Sequence, residues 1–206
     1  MSDLFGLFRF AQLALIVGLI GAAVAASTEV EVYKGYEMPP YEVLERDSDA
    51  ELRRYAPHIL AEVSVNGNRT TAIGRGFQVL ANYIFGGNAT GEKIAMTVPV
   101  SQAPVDGTGD SWTVSFMMPA SFEIDALPAA KTDAIQFVET DTEELLVREF
   151  SGFRSGTKLA DETRAILAEA KERGLTVVGA PRYFFYDGPM TPPWARRNEV
   201  ALPVTQ

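Results

Sequence analysis

Residues 83–100, YIFGGNATGEKIAMTVPV, decide how the chain is read, because they join the end of an apolar helix to an extended segment. Upstream, Ile73, Phe77, Leu80, Ala81 and Ile84 recur at the three-and-four spacing that puts them on one helical face. Gly86 and Gly87 then stop the helix, since glycine accepts the left-handed conformation of a helix terminus, and Asn88, Thr90 and Gly91 prolong the turn. From Ile94 to Val100 apolar residues alternate with Ala95, Thr97 and Pro99, which predicts a half-buried strand, and Pro99 points to a sheet edge or bulge.

Outward from this stretch the chain reads as two similar halves. Strands are expected at residues 41–46, 51–55 and 59–65, then a helix capped by Thr70 or Thr71 and running to about Phe85, then strands at 96–102 and 112–118. The second half repeats the plan. Strands at 134–139 and 144–150 precede a helix over 155–173, stopped by Gly174, and strands follow at 176–178, 182–186 and 199–204. An echo at the two strand-to-helix junctions supports the duplication: VNGNRT at 65–70 resembles FSGFRS at 150–155. The second helix reads as an ordinary surface helix with Leu159, Ile166, Leu167 and Ala170 inward and a Glu169–Arg173 pair outside. The first is different, because Arg75 is the only charged residue between Ile73 and Phe85. Such a helix is either deeply buried or offers an apolar face to a ligand.

Composition removes several functions. A net charge of −9 and basic doublets only at Arg53-Arg54 and Arg196-Arg197 argue against a nucleic-acid partner. With no cysteine there is no disulfide, thiolate metal site or thiol nucleophile, and the single histidine, His58, excludes multi-histidine metal sites. A P-loop fails as well, because Glu92 separates Gly91 from Lys93 and Ile94 replaces the required hydroxyl. No catalytic constellation is recognisable. The densest acidic groups, Asp47/Asp49/Glu51 and Asp141/Glu143/Glu144, read as solvated turns.

Residues 10–26, FAQLALIVGLIGAAVAA, form an uncharged apolar run after Arg9. Small residues at Ala23, Ala25 and Ala26 suit an export signal cleaved after Ala25 or Ala26, and an uncleaved membrane anchor is the competing reading. The expected organisation is therefore a signal or anchor over residues 1–26, a tether over 27–40 ending in Pro39-Pro40, and one domain over 41–206, exported to the periplasm or held at the envelope.

The run FGGNxxGEKIAMTxPV, from Phe85 to Val100, resembles the signature of the SOUL/haem-binding protein family. Tyr41-Glu42-Val43, Arg53-Arg54-Tyr55, Trp112 to Pro119 and Arg196-Arg197-Asn198-Glu199-Val200 extend the resemblance over about residues 41–204. It implies an α+β fold, a distorted antiparallel β-barrel of two pseudo-symmetric halves flanked by two α-helices. It also implies non-enzymatic binding of haem or a related tetrapyrrole in an apolar surface cleft, as carrier or buffer. The same plan resembles effector-binding domains of bacterial regulators, so an apolar small-molecule sensor or interaction module is the alternative, and haem degradation a second one. The family's pocket helix corresponds here to Gly74, Phe77, Ala81 and Asn82, with Leu80 and Ile84 as local additions and Arg75 as the nearest partner for a propionate. Met190 and Trp194, in the loop before Arg196-Arg197, form a second candidate wall, while Arg197 has Glu199 as an alternative internal partner. Some relatives place an axial histidine where this chain has Arg54, which leaves His58 as the candidate iron ligand.

Overall fold

The computed structural model describes residues 30–47, 49–105 and 109–206; the apolar run at 10–26 lies outside them. The chain starts with a small hairpin, β1 (Val32–Tyr33) and β2 (Tyr36–Glu37), and continues through β3 (Tyr41–Asp47), β4 (Ala50–Tyr55) and β5 (Ile59–Asn66) into α1 (Arg69–Ile84). Strands β6 (Val100–Pro104) and β7 (Ser111–Met117) complete the first half. The second half comprises β8 (Ile135–Glu139), β9 (Glu143–Phe150), α2 (Gly156–Glu172), β10 (Thr176–Val177), β11 (Arg182–Phe185) and β12 (Asn198–Thr205). All main pairings are antiparallel, in the order β3-β4-β9-β12-β11-β6-β7-β5-β8, with β10 beside β12. This is the α+β fold that the sequence leads one to expect.

The order explains the curvature. Strand β4 is six places from β5, and β8 six places from β9, a distance of about 29 Å across a flat sheet at ~4.8 Å per strand. Yet each pair is joined by only residues 56–58 or 140–142, whose Cα path can reach at most about 15 Å at ~3.8 Å per step. The sheet must therefore roll into a half-barrel. Its halves are related as expected: β4-β9-β12-β11 mirrors β8-β5-β7-β6 across the β11–β6 pairing. The sequence echo has a backbone counterpart, for Gly67 and Gly152 both take positive φ (125° and 105°) just ahead of their helices, and Arg69 Nη2 donates to the Arg154 carbonyl at 2.6 Å.

Both helices cover one face of this sheet. On α1, Leu80, Tyr83 and Ile84 are buried against Ala61, Val63, Val114 and Phe116, while Ala72 joins the core under α2. Each fully buried large apolar side chain contributes roughly 1.5–3 kcal/mol by leaving water. On α2, Leu159, Ile166 and Ala170 face inward, but Leu167 is outside and Glu162 takes a buried place, paired with Arg148 at 2.9 Å and Lys158 at 2.6 Å. The Glu169–Arg173 pair forms at 2.7 Å.

Four local expectations are corrected. The cap of α1 is Asn68, whose side chain accepts from Thr71 N at 3.1 Å, because the asparagine precedes both threonines with extended backbone. Residues 94–99 join no strand ladder, making instead isolated backbone bonds from Ile94 N to Ile84 O and Val98 N to Glu37 O (both 2.8 Å), and strand β6 begins only at Val100, after the cis Val98–Pro99 bond. Leu167 turns outward, as above. Finally, the segment expected to be a tether carries the β1–β2 hairpin and buries Met38 to 4% exposure beside Tyr55 and Tyr186, so the packed region reaches back to Tyr33.

Candidate functional site

Beside α1 the structure opens a groove of about 620 Å³, bounded on one side by the helix and on the other by Lys131, Thr132 and Ile135 at the start of β8. From α1 it receives Arg75, Gln78, Val79 and Asn82, the spacing of one helical flank, next to the stripe that is buried on the sheet. Gly87 closes its end. A Cβ there would stand 2.2 Å from Asn82 Nδ2 and 2.5 Å from Asn82 O, so only glycine lets the loop lie this close to the helix, where its N–H donates to Asn82 O at 2.7 Å.

Apart from Gly87, the residues of the signature run build this loop rather than line the groove. Asn88 is fully buried, its amide donating to Tyr83 O (3.0 Å) and Glu92 O (2.6 Å) while its oxygen accepts from Thr90 Oγ1 and Glu92 N (both 3.1 Å). Thr97 Oγ1 donates to Met117 O at 2.6 Å and fixes the exit toward β6. Tyr83 lines the groove, but its hydroxyl donates to Pro128 O at 2.8 Å and burial pushes the phenol up to about 12. It stays neutral and engaged.

The electrostatics of the groove come from two cations. Among the described residues Arg75 is the one arginine with neither an ion pair nor a hydrogen bond, and Lys131 makes no ion pair either. Both lie exposed at the rim of a groove floored by Val79 and Ile135.

The candidates from sequence separate on this geometry. Arg75 and Asn82 line the groove; Gly74 is exposed on the helix, and Ala81 is half-buried and outside the groove lining. Phe77 is 40% exposed and stacks edge-on against Phe116, with ring centres 5.3 Å apart. Leu80 and Ile84 are no more than 1% exposed and belong to the core, because the most apolar stripe of an amphipathic helix goes to the sheet. Met190 and Trp194 stand 94% and 79% exposed and line neither this groove nor the cleft on the opposite face; their loop is tied by Arg196 to the carbonyls of Pro189 and Thr191. His58 lies on that opposite face, its Nδ1 donating to Ala56 O at 2.8 Å. Among the described residues no three acidic or histidine side chains cluster as a metal site. Lys131 was missed by sequence reasoning because only the fold carries a loop before β8 to the flank of α1.

The concave face holds a charged network instead. Glu199, fully buried, accepts from Arg53 Nη1 (3.1 Å), Arg197 Nη2 (2.6 Å) and Tyr186 Oη (2.8 Å), and Arg53 also binds Glu51 at 2.7 Å and Tyr55 Oη at 3.2 Å. Arg197 is thus an internal partner of Glu199, the alternative open from sequence.

The sequence profile described as SOUL heme-binding protein matches residues 36–203, and the chain belongs to that family. It is 29% identical over 160 residues to the human protein named heme-binding protein 2, an alignment covering 75% of this chain and 77% of the relative. The mouse protein of the same name is 28% identical over 179 residues, covering 81% and 85% respectively. Among solved structures, the C-terminal domain of EcmrR superposes with a TM-score of 0.62 at 11% identity, covering 81% of this chain and 98% of that domain, a likeness of fold.

Proposed function

We propose that the protein binds haem or a related tetrapyrrole in the groove beside α1 and carries or buffers it without altering it. A tetrapyrrole of this kind is a flat apolar plate with two carboxylates on one edge, so its receptor needs apolar walls and cations at the rim. The observation that carries the reading is the position of Arg75 and Lys131, two cations without ion pairs flanking a groove whose floor is Val79 and Ile135. Membership of a heme-binding family supports it. The groove offers no histidine or methionine, so capture rests on the plate's faces and its carboxylates rather than on a strong iron ligand. The apolar run at 10–26 supports export to, or anchoring at, the cell envelope as the place of action.

Titration of the full-length protein with hemin, followed in the Soret band, tests this. Saturation at one haem per chain is expected. Reversing both rim charges, Arg75→Glu with Lys131→Glu, removes two charge-assisted contacts of about 1.4 kcal/mol each and weakens binding about hundredfold. His58→Ala leaves the spectrum of bound hemin unchanged. Unsaturable binding, or equal affinity in the charge-reversed variant, overturns the reading.

A further inference from the structure

The concave face holds a second cleft, about 480 Å³ in volume, that shares no lining residue with the α1 groove. Its depth is apolar and aromatic: Tyr55 of β4, Met117 of β7, and Phe184 and Tyr186 in and just after β11, all buried, are brought together by the curl of the sheet. Its walls are predominantly acidic. Glu62, Glu139, Asp141 and Glu143 border the cleft, against a single arginine, Arg182, whose Nη1 is already bound to Glu143 Oε1 at 2.6 Å. Burial holds the His58 imidazole below its ordinary range, so the one other basic group is neutral at physiological pH.

Glu62 is the telling residue. It projects from β5 into the cleft, half-buried, with Ser115 Oγ donating to its Oε1 at 2.8 Å. Among the described residues no lysine or arginine pairs with it. A half-buried carboxylate with no cationic partner gains from a cation that joins it, and the Tyr and Phe rings elsewhere in the same cleft themselves attract cations. The same field repels a dicarboxylate, which separates this cleft from the basic rim beside α1.

We propose that the concave cleft is a second ligand site, taking an apolar organic cation of the aromatic-amine class, with Glu62 as its counter-charge and Phe184 and Tyr186 as its floor. The cleft volume lies in the range of small-molecule sites. The proposal is independent of haem binding.

The test compares proflavine, a cation at neutral pH, with acridine, its uncharged parent ring, each titrated into the full-length protein by fluorescence. Proflavine is expected to saturate at one per chain and to bind at least tenfold more tightly than acridine. Glu62→Gln keeps the shape and the Ser115 hydrogen bond; it should weaken proflavine about tenfold, leave acridine unchanged and leave the hemin titration as in the parent. Ala103→Trp, at the wall of the cleft, should abolish binding of both dyes; should that variant fail to fold, Glu62→Gln decides alone. Equal affinity for the two dyes, insensitivity to Glu62→Gln, or displacement of proflavine by one equivalent of hemin would each overturn the proposal.

Discussion

Under α1 the sheet is covered by uncharged side chains such as Leu80, Ile84, Val114 and Phe116, and the charges beside its groove, Arg75 and Lys131, stand at the outer rim. On the concave face, Arg53 and Glu199 are buried as a pair at 3.1 Å, and the adjoining cleft is acidic. The first face is held by non-directional burial, the second by hydrogen bonds whose donors and acceptors must coincide. The two differ accordingly in what they present to a ligand: a basic edge beside an apolar flank, or an acidic mouth above aromatic rings.

The largest effect expected from breaking this contrast is on stability. Glu199→Gln neutralises the partner of two arginines and should cost about 3 kcal/mol in chemical denaturation, the low end for a broken buried pair, because the buried Arg53 keeps only Glu51 as a carboxylate partner. A cost under about 1 kcal/mol, the value of an ordinary surface pair, would mean that the concave face is held by its apolar residues after all. A middle-sized effect is expected at the helix-bearing face from Gly87→Ala. The new methyl meets Asn82, so the last turn of α1 must shift, at about 1–3 kcal/mol of stability and with weaker hemin binding. Unchanged stability and affinity would show that the close approach of Gly87 does not shape the groove.

The smallest effect is a pH dependence. Burial is the main cause holding the His58 pKa below its ordinary value, with the Ala56 carbonyl and Glu143 working against it and Arg182 adding to it. The unfolded chain therefore binds the proton more readily than the folded one, and stability falls as pH drops below about 6.5 toward the folded value, then levels. His58→Gln should flatten that part of the profile, read as the denaturation midpoint across pH. In the parent, proflavine binding should weaken at the lower end of that interval and below it, as pH falls through the folded-state pKa of His58, since only then does the folded protein add this positive charge to the acidic cleft.

Much of this architecture was legible in the residues. The double glycine, the two junction motifs and the alternating strands located the elements because each rests on local backbone chemistry. Arg75 stood out as the lone charge between Ile73 and Phe85. The facing of α1 was harder. The apolar stripe through Leu80 and Ile84 looks like a ligand wall, but it is also the stripe a sheet buries, and the groove falls to the neighbouring flank of Arg75, Gln78, Val79 and Asn82. The concave cleft was hidden for a different reason. Its lining is spread over strands far apart in the chain, and Asp141 and Glu143, read as a solvated turn, reach its mouth only because residues 140–142 draw β8 toward β9. The hairpin at Val32–Glu37 carried no periodic signal in its two-residue strands.

Those short connectors have one further consequence. Each half lends its first long strand to the other, β4 pairing with β9 and β8 with β5, so neither repeat is complete by itself. A gene cut between Met117 and Ile135 would yield two polypeptides, each exposing an open edge that only its counterpart closes, and they should regain the fold when mixed. By the same logic the ancestor of a single repeat would have had to work as a pair of identical subunits exchanging their outer strands.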